Sequence, residues 1–280
     1  MILNFTKMHG CGNDFIVINA TTDDLLNWQP TAKQAAFLLD RHFGIGGDQL
    51  LVIYPSENAD LKMAIFNPDG SEVEMCGNGI RCCALFAKNH GLIAKDEMEI
   101  ETLAGIIKPT VEDKCVRVDM GKPILNAENI PVAGAAGPLI NFPPPKIDDE
   151  YVLPPMTCVS MGNPHAVFFV DNIDDVPIER VGAKIETNPL FPNRTNVEFA
   201  QIFNVKTVKM KVWERGAGIT LACGTGACAT VVAGILTGKI NNEATVILDG
   251  GELNILWEGE GKPVFMIGPA EEVFDGKIIL

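Results

Sequence analysis

The chain has 280 residues, of which 47% are apolar and 21% charged, and its net charge is −14; this is the balance of a soluble globular chain with room for two domains. Lys and Arg are dispersed rather than gathered into a stripe, which excludes a phosphate-neutralising nucleic-acid face. No run of eighteen apolar residues is present, and residues 1–7 lack a signal peptide's basic region and long apolar core, so no membrane partner and a cytoplasmic location are expected.

Short apolar or alternating runs at 15–18, 50–53, 63–66, 115–118, 166–170, 208–212 and 246–248 predict strands, bounded by Gly, Pro, Asn and Asp. Helical patterns are fewer. One covers 31–39. A second follows Cys76, where Ile80, Cys83, Ala84 and Ala87 fall on one face and Gly91 supplies a stop. A third follows Cys223: residues 227–236 are apolar almost all round before Gly238, the pattern of a buried helix. Each domain is therefore expected to wrap strands around one central helix whose first turn carries a cysteine. Between them, 121–156 holds prolines at 123, 131, 138, 143, 144, 145, 154 and 155, and reads as the crossing between domains, made of surface loops.

The two cysteine turns are near twins, Met75-Cys76-Gly77-Asn78-Gly79-Ile80-Arg81-Cys82 and Ala222-Cys223-Gly224-Thr225-Gly226-Ala227-Cys228. The segments upstream match by offset as well. Asn67 and Glu214 each lie nine residues before their cysteine, and Gln49 and Asn196 each lie 27 before. Asn13 and Asn163 lie 63 and 60 before. A repeat this long implies two similar domains rather than a solenoid.

A cysteine at a helix amino terminus meets unpaired backbone N–H groups and the positive end of the helix dipole, both of which favour thiolate. The neighbouring glycines leave those N–H groups uncovered to grip an anion such as a carboxylate. Two such turns facing one substrate carboxylate would place its α-carbon between two thiols, which is the arrangement of a two-base racemase or epimerase. Taken singly, each motif is weaker: a cysteine in a glycine turn is more often a structural thiol, and the matched pair reverses that reading. Cys11, Cys82, Cys83, Cys115, Cys158 and Cys228 read as structural, and no paired C-x2-C spacing suggests zinc. Asn13 and Asn163 could merely satisfy turns, and His42 and His90 read as surface or helix-end residues. Glu214-Arg215 could be an ordinary ion pair; its nine-residue register with Cys223 favours a site role.

At these residues the chain closely resembles the diaminopimelate epimerase family. The resemblance is carried by His9-Gly10-Cys11-Gly12-Asn13-Asp14-Phe15, Arg41-His42-Phe43-Gly44-Ile45-Gly46, Phe66-Asn67-Pro68-Asp69-Gly70-Ser71, both cysteine turns, Gly162-Asn163-Pro164-His165, Asn196-Val197-Glu198-Phe199, Trp213-Glu214-Arg215-Gly216 and Val273-Phe274-Asp275-Gly276. It implies an α+β fold of two pseudo-symmetric domains, each a strongly curved mixed sheet around a central helix. Expected boundaries are 1–122, joined by a returning tail at 269–280, and 123–268.

By resemblance, Cys76 and Cys223 are the acid/base pair that interconverts LL- and meso-diaminopimelate without pyridoxal phosphate, other cofactor or metal, in the supply of lysine and peptidoglycan precursors. Substrate contacts fall on Asn13, Gln49, Asn67, Asn163, Asn196, Glu214 and Arg215. Gly77-Asn78 and Gly224-Thr225 hold the carboxylate of the reacting centre, while Asn67, Asn163, Asn196 and Arg215 read the distal centre. His165 and Glu214 adjust the thiols' protonation. Closure over substrate and a homodimer are also implied. The chain departs from the family where Gly218-Ile219-Thr220 replaces the usual Gly-Glu-Thr, removing one possible polar contact. Alternatives are a proline or broadened amino-acid racemase of the same fold, a thiol redox switch, which would ordinarily use a close Cys-x-x-Cys, and nucleotide binding, for which neither glycine turn carries a phosphate-loop signature.

Overall fold

A computed structural model describes residues 1–280 except 23 and 149. The chain divides into two compact units, Met1–Asp119 with Ile267–Leu280, and Met120–Met266.

In the first unit the order is β1 (Ile2–Gly10), β2 (Asn13–Asn19), α1 (Ala32–Leu39), β3 (Gln49–Tyr54), β4 (Leu61–Phe66), β5 (Glu72–Val73), α2 (Gly77–Asn89), β6 (Ile100–Thr102), β7 (Gly105–Ile107) and the hairpin of β8 (Pro109–Glu112) and β9 (Cys115–Asp119). The second contains β10 (Met156–Ser160), β11 (Pro164–Phe169), α3 (Ile178–Glu186), β12 (Asn196–Asn204), β13 (Thr207–Glu214), β14 (Gly218–Ile219), α4 (Gly224–Leu236), β15 (Glu243–Leu248), β16 (Gly251–Trp257) and β17 (Val264–Pro269). The chain ends in β18 (Glu271–Ile279), which returns to pair with β1.

The two sheets repeat one plan. The first runs β18-β1-β2-β3-β4-β6-β7 with β5 beside β4, and the second runs β10-β11-β12-β13-β15-β16-β17 with β14 beside β13. Directions repeat too: β2–β3 and β11–β12 are parallel, as are β4–β6 and β13–β15, while β1–β2, β3–β4, β10–β11 and β12–β13 are antiparallel. Each parallel pair requires a crossover, supplied by α1 between β2 and β3, α2 between β4 and β6, α3 between β11 and β12 and α4 between β13 and β15. Gln49 and Asn196, matched by their 27-residue offset, open the corresponding strands β3 and β12.

Each sheet is covered on both faces. On one, α1 sets Ala35, Leu38 and Leu39 against Leu3, Ile16, Ile18, Leu50 and Val52; in the second unit α3 sets Val181 and Ile185 against Ala166, Phe168, Val197 and Phe199. On the other face, α2 touches β1, β2, β3 and β4, and α4 touches β10, β11, β12, β13, β15 and β16. A sheet whose strands all reach one helix must curl around it. Both central helices end alike, with a positive-φ glycine one residue past the cap, at Gly91 (φ 68°) and Gly238 (φ 68°).

Two expectations need correction. The segment 121–156 is not a set of surface loops: Ala127, Ile130, Val132, Leu139 and Leu153 are buried in the second unit's core. Its prolines keep the segment out of regular strands, and these five apolar side chains pack inward while Ile124, Ile140 and Val152 stay exposed. In addition α3 had no place in the sequence reading, although Ile178, Val181 and Ile185 are spaced for one helical face and all are buried.

Candidate active site

Each unit builds a half-site on the first turn of its central helix. Cys76 caps α2 in an extended conformation (φ −137°, ψ 117°), and Gly79 N–H donates to its sulfur at 3.4 Å. Cys223 caps α4 in the same way (φ −127°, ψ 109°), with Gly226 N–H donating to its sulfur at 3.4 Å. The sulfur thus stands where Ser or Asp usually caps a helix, so the orphan N–H groups and the dipole both act on it.

In the first unit the Asn13 carbonyl accepts from Asn78 Nδ2 at 3.0 Å and lies 3.8 Å from Cys76 Sγ. Asn13 Nδ2 donates to Asp48 at 2.9 Å. This corner is held by charge: Arg41 donates to Asp14 at 3.0 and 2.6 Å and to Asp48 at 2.8 Å, and Lys7 donates to Asp14 at 2.6 Å. Burial would raise the Asp14 carboxyl, but the hydrogen bonds and charges of Arg41 and Lys7 outweigh it and hold the group well below the usual carboxylate range. Gln49 and Asn67 form a second pair, Gln49 Nε2 donating to Asn67 Oδ1 at 3.0 Å, and Asn67 Nδ2 donates to Ser71 at 3.1 Å. Beneath the turn, buried Arg81 donates to Gly77 O at 3.2 Å, Asn78 Oδ1 at 3.0 Å and Pro269 O at 3.1 Å. It fixes Gly77 and Asn78 against the returning tail.

In the second unit Asn163 Nδ2 donates to Thr225 Oγ1 at 3.2 Å, and Thr225 Oγ1 lies 3.5 Å from Cys223 Sγ. His165 is fully buried, with Nε2 at 3.0 Å from Asn163 Oδ1 and Nδ1 at 2.6 Å from Glu198 Oε1. Asn196 is the register partner of His165 across the parallel β11–β12 pair; its Nδ2 donates to Pro164 O at 2.9 Å and its Oδ1 accepts from Arg215 N–H at 2.9 Å. The Arg215 side chain is exposed, held by one hydrogen bond to Asn193 O at 3.2 Å. Glu214 accepts from Thr220; burial raises its carboxyl above the usual range, with the Thr220 bond and the nearby Cys223 thiol acting against it.

Burial pushes the Cys223 thiol well above its ordinary value, and the Glu214 and Glu198 carboxylates push it further; Thr225 and Gly226 N–H act against them. Cys11, Cys82 and Cys158 are buried and also raised, first by desolvation. Ile219, the family departure, is 43% exposed on β14 and so leaves no buried gap where a carboxylate would stand.

Sequence reasoning did not single out Glu198. It sits in the run Asn196-Val197-Glu198-Phe199-Ala200, every residue of which is buried. A lone carboxylate in a water-free strand was the available signal, because such a group must be partnered. Among the described residues there is no cluster of three or more His, Cys, Asp or Glu that could hold a metal ion, and no helix long and apolar enough to cross a membrane.

The diaminopimelate epimerase family model matches residues 5–126 and 157–273. A diaminopimelate epimerase from Moorella thermoacetica is 51% identical over 279 residues, covering 98% of each chain. One from Acetivibrio thermocellus is 50% identical over 283 residues, covering 99% of each, and one from Methanococcus maripaludis is 49% identical over 281 residues, again covering 99% of each. Among solved structures, a Bacillus anthracis phenazine biosynthesis protein of the PhzF family superposes with a TM-score of 0.71 at 18% identity, covering 100% of both chains. A hydroxyproline epimerase from Agrobacterium vitis superposes with a TM-score of 0.66 at 14% identity, covering 99% of this chain and 91% of its own. These distant structures share the two-domain mixed-sheet fold, and the near-full-length sequence matches go further: this chain belongs to the diaminopimelate epimerase family.

Proposed function

We propose that the protein is an isomerase that interconverts LL- and meso-diaminopimelate by proton transfer between two cysteines and the α-carbon. One thiolate, of Cys76 or Cys223, takes the α-proton; the thiol of the other gives its proton to the opposite face. The electron pair left at carbon spreads onto the substrate carboxylate, which the N–H groups around Gly77-Asn78 and Gly224-Thr225 hold. The two thiols have then exchanged protonation states, and the reverse reaction restores them. No cofactor enters this balance, because the N–H groups supply the electrostatic stabilisation.

The observation that carries this reading is the repeated N-cap: two cysteines in matching environments, each with a backbone N–H on its sulfur. Family membership supports the substrate. Burial of Cys223 beside two carboxylates favours its thiol form, which suits it to donate a proton. Asn67, Asn163, Asn196 and Arg215 read the distal amino-acid end, Arg215 by a planar fork that fits a carboxylate. Glu214, whose raised carboxyl acts on Cys223 through space, is the local proton partner.

The protein also acts as a homodimer in this reading. Support comes from β18, an edge strand with exposed Val273, Phe274 and Ile279; sedimentation at equilibrium tests it.

Incubation with LL-diaminopimelate in deuterated water, without added pyridoxal phosphate or metal, tests the reaction. Meso product carrying deuterium at one α-carbon is expected, with proline and glutamate left unexchanged. Exchange of proline in preference to diaminopimelate would overturn the substrate assignment.

A further inference from the structure

Glu198 is fully buried in β12, and its Oε2 has no hydrogen-bond partner among the described residues. A carboxylate so placed is heavily penalised unless its charge is balanced. Its Oε1 starts a continuous chain: 2.6 Å to His165 Nδ1, 3.0 Å from His165 Nε2 to Asn163 Oδ1, 3.2 Å from Asn163 Nδ2 to Thr225 Oγ1, and 3.5 Å on to Cys223 Sγ.

The direction of this chain follows from counting protons. Asn163 spends its NH2 group on Thr225, so its carbonyl faces His165 Nε2, and that nitrogen must be the donor. The 2.6 Å contact between Nδ1 and Glu198 needs a second proton. Glu198 and His165 together therefore hold two protons, as imidazolium with carboxylate or as neutral imidazole with carboxylic acid. Both forms have no net charge. Thr225 Oγ1 accepts from Asn163, which leaves its single hydrogen for the sulfur of Cys223.

We propose that Glu198 is a positioning residue for Cys223: it keeps His165 Nε2 a donor, orients the Asn163 amide, and so makes the Thr225 hydroxyl a donor to the Cys223 thiolate left after proton delivery. This deepens the acid/base reading of Cys223 and rests on it. The tight turn agrees with the assignment, since a Cβ at Gly226 would stand 2.8 Å from Glu198 Oε1 and 3.2 Å from Cys223 Sγ; the carboxylate is held against the first turn of α4. Burial and the carboxylates raise the Cys223 thiol, while the Thr225 hydrogen bond lowers it. The titratable groups facing Cys223 or its chain are Glu214 from β13, Glu198 from β12, His165 from β11 and Cys158 from β10, the last of which is also raised partly by Glu198.

The test uses the full chain. Wild type and Glu198→Gln are alkylated with iodoacetamide from neutral to alkaline pH, and Cys223 and Cys76 are followed separately by peptide mass spectrometry. In the variant the new amide carbonyl accepts from Nδ1 of a neutral imidazole, Nε2 becomes an acceptor, the Asn163 amide turns over, and Thr225 donates to it instead of to sulfur. Cys223 alkylation should then fall about tenfold at a given pH, the size of one lost hydrogen bond to a charged group, and its pH midpoint should rise while Cys76 is unmoved. With diaminopimelate, kcat should drop, and KM should rise as well, because the turned Asn163 amide also serves the distal end of the substrate. Faster alkylation of Cys223, as simple removal of a nearby negative charge would give, overturns the proposal, and so does an unchanged rate. Should Glu198→Gln fail to fold, Thr225→Val and Thr225→Ser decide: valine should slow Cys223 and serine restore it, and an unchanged rate in the valine variant refutes the relay. Absence of deuterium exchange by wild type would count against the proposed reaction alone, because the alkylation comparison needs no turnover.

Discussion

At the scale of single residues, the proposed chemistry depends on two sulfur atoms serving as helix caps. Cap geometry puts each thiol against N–H groups within three residues of itself, so the part of each thiol's environment that favours thiolate is local. Replacing either by alanine should abolish epimerisation, at least a thousandfold below wild type, because general acid–base groups of this kind contribute about 10²–10⁴ each. Serine should be nearly as damaging, a hydroxyl being a far weaker acid. Each serine variant should still eliminate from a halogenated analogue of one configuration, and the two should prefer opposite configurations. A chiral assay of both variants checks this; a shared preference would rule out opposed thiols.

Among the elements, the two helix starts look alike yet differ in tolerance. A Cβ at Gly79 would meet Leu51 at 3.3 Å and Cys76 Cβ at 3.4 Å, contacts that a small shift relieves, whereas Gly226 would strike Glu198 Oε1 at 2.8 Å. That oxygen is pinned to His165 and cannot withdraw. Gly226→Ala should therefore destabilise the protein by about 1–3 kcal/mol despite alanine's better helix propensity, while Gly79→Ala changes stability by less than about 1 kcal/mol; denaturant unfolding of both variants measures the contrast. The start of β2 makes a second, pH-dependent prediction. Asp14 has a folded pKa depressed by Arg41 and Lys7, so its contribution is present above the unfolded value of about 3.9 and is lost as pH falls through the folded value. Asp14→Asn should cost roughly 2 kcal/mol at pH 7 and little in strong acid. An equal deficit at both pH values would show that the lost interaction is not ionic.

For the whole molecule, the carboxy-terminal strand completes the first unit. β18 pairs with β1 from Ile2↔Ile279 to His9↔Glu271, and Phe274 meets Phe5 edge-on with centroids 6.0 Å apart. Gly276 is required because a Cβ there would lie 2.4 Å from the Phe5 ring. Asp275 accepts from Thr6 Oγ1 at 2.6 Å. Deleting 271–280 uncovers Phe5 and the whole edge of β1, so the melting temperature should fall by about 10 °C or more, with aggregation at the new edge. Calorimetry and light scattering read both effects; an unchanged transition would mean that β18 is dispensable to the fold.

Much of the site was legible in the chain because helix caps and glycine turns are encoded within a few residues, and because the duplicated offsets tie Gln49 to Asn196 and Asn67 to Glu214. The spacing and the family motifs pointed to the strand-wrapped helices and the epimerase family before any coordinate. Glu198 was hidden for the opposite reason. It lies 33 residues from His165, and the contact exists only because β11 and β12 pair in parallel with His165 beside Asn196. Periodicity does not specify which strands pair or in what register, since those depend on burial summed over the whole sheet. The same limit disguised 121–156, where proline suggested loops and long-range packing buried five apolar side chains. The sequence by itself determined the two matched cysteine turns and their kinship; the tertiary structure decided which buried carboxylate stands behind Cys223, because that choice is made by register and desolvation rather than by neighbours along the chain.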